Sequence, residues 1–130
     1  MSSRLVIMKI QRFEDLIAWQ EARKLVKSVY EVTNTSLFSK DLDLKRHLRR
    51  TGVSIMSNIA EGFGRYSPKD SKLFYINARG SIAELQSQLY ICLDQTYLSK
   101  TIFEEVYNQA VLVNKLINGL ISASLKLMNS

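Results

Sequence analysis

Between residues 103 and 127 the apolar and small residues Phe103, Val106, Ala110, Val113, Ile117, Leu120, Ser124 and Leu127 recur in a strict 3-4 alternation. This spacing is the seam of a coiled-coil-like helix, because side chains three and four apart line one face. Such a helix cannot be stable alone; its seam must be covered by other helices. Thr101 followed by Glu104 reads as a capping box that satisfies free N–H groups and complements the helix dipole, which predicts a helix over about 102–128.

The rest of the chain offers the partners. Leu16, Trp19, Ala22, Val26, Val29 and Tyr30 share one side of a segment at about 13–33, with Glu14, Glu21, Lys24 and Lys27 outside, and the polar run of residues 33–36 ends it. A second helix is predicted at about 41–62, closed by glycines 62 and 64 as C-caps. Ser67 before Pro68 is a strong start signal, since proline lacks the N–H that would go unpaired there; it opens a third helix at about 68–97. Gly80 lies inside that helix, and its propensity cost of roughly 1 kcal/mol predicts a close helix contact that requires it. Four helices with short connections pack most simply as an all-α, antiparallel up-down-up-down bundle over residues 12–130, with residues 1–11 as an N-terminal arm.

Composition narrows the function classes. With 130 residues, 46% hydrophobic, one core suffices without disulfide or metal. The single cysteine, Cys92, sits in an apolar run and reads as a core residue in a reducing compartment. No 18-residue stretch is free of charge and no cleavage pattern follows the start, so a cytoplasmic protein with no membrane span is expected. A di-iron bundle needs two histidines, whereas His47 is alone; this excludes that site and histidine-based triads, and no metal or cofactor is expected. Gly62 and Gly64 follow a helix with no strand before them, so phosphate-loop readings fail.

The net charge of +6 is unevenly placed. Residues 40–79 hold nine basic against four acidic residues, while the other 90 hold nine against eight. Lys45, Arg46, Arg49, Arg50 and Lys72 are the candidate nucleic-acid contacts. The same helices carry a polar stripe: Arg50, Ser54, Ser57 or Asn58, Glu61 and Arg65 on the second helix, and Asn77, Ser81, Glu84 and Gln88 on the third. If these faces meet, Asn58, Glu61, Arg65, Ser81 and Glu84 form a structural polar network, with Arg50 and Arg79 as further donors, because a buried carboxylate without partners is costly. No nucleophile accompanies the carboxylates, so an enzyme is not expected.

Three segments are more specific: FEDLIAWQEARKLVKSVYEVT (residues 13–33), RRTGVSIMSNIAEGFGRYSPKD (residues 49–70) and ARGSIAELQSQL (residues 78–89). Together they resemble the bacterial four-helix-bundle proteins encoded by intervening sequences within 23S rRNA genes, also labelled S23 ribosomal proteins. The resemblance covers roughly residues 12–120. It implies an antiparallel four-helix bundle assembled as a ring-like homopentamer, and a more distant likeness to the accessory protein of diversity-generating retroelements, a basic pentamer that binds nucleic acid and a reverse transcriptase. Asn58, Glu61, Gly62, Arg65, Gly80, Ser81 and Glu84 match signature positions with no catalytic role. His47 stands where the family often has glutamine, and Met56 where proline is common.

Two functions follow as expectations. The first is a non-enzymatic oligomer that binds RNA or DNA through its basic surface. The second is a structural or partner-binding scaffold whose arginines serve networks within or between subunits.

Overall fold

The computed structural model describes residues 10–130; most of the expected N-terminal arm lies outside the described residues. Four α-helices follow a 3-10 turn at Phe13–Asp15: α1 at Ile17–Thr33, α2 at Leu42–Phe63, α3 at Pro68–Asp94 and α4 at Lys100–Met128. Among the described residues there is no strand. Each helix packs on its two neighbours, with α1 against α2 and α4, and α3 against α2 and α4, giving the expected antiparallel bundle.

The caps show how local chemistry sets these bounds. Asp41 caps α2 by accepting from the Leu44 N–H at 3.3 Å. Ser67 caps α3 through the Asp70 N–H, with Pro68 in the first turn. At α4 the expectation fails: Ser99, not Thr101, is the cap, accepting from the Ile102 N–H at 3.2 Å, so Thr101 and Glu104 lie inside the helix. Ser99 captures the free donors two residues earlier and leaves the capping box nothing to satisfy.

Helix α3 ends at Asp94, three residues before the expected bound. Tyr97 N–H donates to Cys92 O at 2.8 Å and Thr96 N–H to Leu93 O at 3.0 Å, the two bonds of a Schellman motif. Thr96 takes φ 59°, which a β-branched residue adopts only under strain. The result delivers Tyr97 onto Phe38, ring centroids 5.0 Å apart, at the end of the bundle where the connection between α1 and α2 also lies.

The core is apolar and continuous, with Leu25, Ile55, Ile59, Ile82, Leu85 and Ile117 fully buried, each contributing about 1.5–3 kcal/mol by leaving water. The α4 seam follows the expected register from Phe103 to Ile117 and again at Ser124, but Ile121 is buried in place of half-buried Leu120, and Leu127 is exposed. A straight helix at 3.6 residues per turn drifts away from a 3.5-residue repeat, and two heptads suffice to show it. On α1 the buried face is Ala18, Ala22, Leu25, Val29 and Thr33, rotated from the expected one. Trp19 and Val26 are half-buried and Tyr30 is exposed.

Two glycines also exchange roles. Gly62 is inside α2 with no positive φ, and a Cβ there would stand 2.5 Å from the Tyr75 ring. Gly62 thus serves a close approach rather than a C-cap. Gly80 is exposed, and a Cβ would meet nothing within 4 Å, so no contact inside the bundle requires it. Cys92 is fully buried, and burial pushes its thiol up to about 12, with the Asp41 carboxylate adding to the effect. By length and composition alone α4 is apolar enough to cross a membrane; here its seam is packed against α1 and α3.

Candidate nucleic-acid interface

The cap at Asp41 starts α2 so that its first three turns carry Lys45, Arg46, His47, Arg49 and Arg50. Arg46 and Arg50, four residues apart, are exposed on neighbouring turns. Arg46 lies 3.8 Å from the fully exposed Asp43 carboxylate, a solvated pair worth little. Lys45 is half-buried.

Arg49 departs from the expected group. Its Nε donates to Thr33 Oγ1 at 3.0 Å and Nη2 to Tyr30 O at 3.4 Å, while the guanidinium carbon lies 4.4 Å from the Tyr30 ring centroid. This side chain closes the C-terminal turn of α1, where free carbonyls and the helix dipole favour a cation. Lys72 departs further. Gly62, in the last turn of α2, touches Tyr75 of α3, so Lys72 sits at the other end of the bundle. Arg46 and Gly62 are about 24 Å apart along α2 at 1.5 Å per residue, and Lys72 lies nearly a turn beyond that level. The structure therefore keeps Arg46 and Arg50 on one exposed face, sets half-buried Lys45 on the Arg49 side of α2, and leaves Arg49 and Lys72 outside the group.

The faces of α2 and α3 meet, but through other atoms than expected. Ser54 Oγ and Ser81 Oγ are 3.0 Å apart, and Asn58 Nδ2 donates to Ser54 O at 2.9 Å and Ser54 Oγ at 3.1 Å. Small hydroxyls bridge the two helices here. The charged members lie at the rim: Arg65 is 3.7 Å from Glu61 with the side chains 47% and 56% exposed, and Glu84 is 3.7 Å from His47 and accepts from Gln88 Nε2 at 3.3 Å. Arg79 donates to Asn118 on α4 instead, at 3.1 Å. Neither carboxylate is buried, so neither demands the arginines. Arg65 rests over the Phe74 ring at 4.3 Å, a use the sequence reading did not assign. Among the described residues no cluster of three His, Cys, Asp or Glu side chains is gathered as a metal would require.

A second cationic region escaped sequence reading. The rotation of α1 that takes Trp19 and Tyr30 out of the core opens a groove of about 820 Å³ between α1 and Met56 of α2, walled by Trp19, Arg23 and Lys27, with Arg12 and Glu14 at its end. The signal was present: Trp19, Arg23, Lys27 and Tyr30 follow helical spacing, yet apolar periodicity assigns Trp19 and Tyr30 to the core.

The same fold is found in a crystal structure of a protein of unknown function from the S23 ribosomal protein family of Bacteroides thetaiotaomicron VPI-5482. The two superpose with a TM-score of 0.74 at 19% identity, over 81% of this chain and 98% of that one. The sequence model of the 23S rRNA-intervening sequence proteins matches residues 14–119, and the chain belongs to that family. No curated protein matches it.

Proposed function

We propose that this protein is a non-enzymatic, oligomeric RNA-binding protein that engages phosphates through its basic surface. The observation that carries the reading is the position of the arginines: Arg46, Arg50, Arg65 and Arg79 stand on the surface, and Glu61 and Glu84 stand there with them. The scaffold alternative, in its within-subunit form, needs these groups internal, tied to buried carboxylates; its between-subunit form is left to the tests of assembly. On the surface they add to a field that attracts polyanions.

Self-association belongs to the same reading. Leu73 and Ile91 on α3 and Val111 and Leu112 on α4 are exposed large apolar residues on the pair of helices away from the α1–α2 groove, and Gly80 faces open space between Leu73 and Ile91 on α3. A five-membered ring would raise the charge of one chain, +6, to about +30.

Electrophoretic shift with 23S rRNA fragments across a salt series tests the binding: retardation that weakens steeply with salt is expected, and no shift at low salt overturns it. Native mass measurement tests the assembly; five copies are expected, and a monomer overturns the ring. Glu61→Gln separates the two functions. The exposed Glu61–Arg65 pair contributes little, so a change below about 0.5 kcal/mol is expected, whereas lost folding or assembly would restore the scaffold reading.

A further inference from the structure

We infer, resting on the RNA-binding reading above, that the groove between α1 and α2 is a site for single-stranded RNA, with Arg23 and Lys27 on phosphates and Trp19 and Met56 against a base. Nothing in the expected set, Lys45 to Arg50 and Lys72, includes it.

Charge is the first ground. Among the described residues the groove wall carries Arg12, Arg23, Lys24 and Lys27 against a single carboxylate, Glu14. Arg12 neutralises Glu14 at 3.0 Å, and Lys24 pairs with Glu21 at 3.1 Å. Arg23 and Lys27 have no carboxylate partner among the described residues. They sit one turn apart with about 5–6 Å between their Cβ atoms, so both can address one strand.

The second ground is that the floor between these cations is not polar. Trp19 is half-buried, held by the Phe13 ring at 5.1 Å and 66°, and Arg23 lies 5.8 Å from its centroid. Half-buried Met56 supplies a polarisable thioether opposite. About three turns further along the same edge of α1, Tyr30 with Arg49 at 4.4 Å repeats the pairing of an aromatic ring with a guanidinium. Rings and guanidinium planes interleaved with cations fit unstacked bases on a phosphate backbone. A duplex shows mainly phosphates and an acidic peptide only carboxylates, so either would leave Trp19 and Met56 idle.

Trp19 is the sole tryptophan, so its emission reports the groove directly. The intact protein is titrated with an oligouridylate of about twelve nucleotides, with a duplex RNA of equal length and with polyglutamate, while gel retardation follows binding in parallel. Quenching of Trp19 by the oligouridylate is expected, with little by the duplex. In the exposed double variant Arg23→Ala/Lys27→Ala, affinity should fall about tenfold or more and the salt slope by about 1.4, at roughly 0.7 per phosphate contact on a single strand. Retardation without quenching, and with affinity unchanged in the double variant, overturns the groove and leaves RNA binding standing. No retardation by any RNA at low salt overturns both. Equal quenching by polyglutamate overturns RNA in favour of an acidic protein partner.

Discussion

Arg49 Nε donates to Thr33 Oγ1 at 3.0 Å while its guanidinium covers the Tyr30 ring, so a residue of α2 closes the last turn of α1. Arg49→Ala should therefore cost about 1–2 kcal/mol of stability, seen as a lower urea midpoint. It should weaken RNA binding less than Arg50→Ala, because Arg50 is exposed and makes no such bond. The reverse order in a binding isotherm would show that Arg49 leaves Tyr30 to reach phosphate.

The two glycines predict opposite signs. Gly62→Ala places a methyl carbon against the buried Tyr75 ring and should destabilise by about 1–3 kcal/mol. Gly80→Ala adds a methyl into open space and should stabilise α3 by about 0.5–1 kcal/mol, read by thermal melting. If α3 faces a second copy, the same substitution shifts the native mass distribution toward smaller species. Unchanged assembly places Gly80 outside the contact.

Tyr97 donates its hydroxyl to Asp41 Oδ2 at 3.0 Å, and that bond, with a smaller share from burial, raises the phenol above its ordinary 10.0. A raised acid favours the folded state only while protonated there. Its contribution is complete below pH 10.0 and is lost as pH rises through the folded value. Tyr97→Phe should melt lower than the parent at neutral pH, and the gap should close in alkaline buffer. A gap that does not vary with pH would show that ring packing on Phe38 alone accounts for Tyr97.

How much of this was legible in the sequence differs by level. The four helices follow from periodicity, and Asp41, Ser67 and Pro68 mark real starts because capping depends on residues within one turn. Ser99 was missed because Thr101 with Glu104 offers an equally good local signal, and only the chain's path selects between them. The Schellman end of α3 was hidden because Thr96 is a residue that local preference excludes from φ 59°. At the site, the basic segment was visible, yet whether Arg49 faces α1 or water, and whether Trp19 is core or groove, depends on a rotation of α1 by part of a turn. Apolar periodicity does not fix that rotation, since Ala18 and Trp19 both fit a buried stripe. The Ser54–Ser81 bridge is not legible in the sequence, because spacing shows which polar residues share a face but not which pair across it.

The claim that surface arginines of α2 hold phosphate is tested most directly by fluorescence anisotropy of a labelled 23S rRNA fragment, titrated with the parent and with Arg46→Ala/Arg50→Ala from about 50 to 300 mM salt. Binding by the parent should fall linearly on a log–log plot, and the double variant should bind more weakly with a slope smaller by about 1.4 to 1.8 for two lost contacts. Superposable curves for the two proteins, or no binding by the parent at the lowest salt, would contradict it.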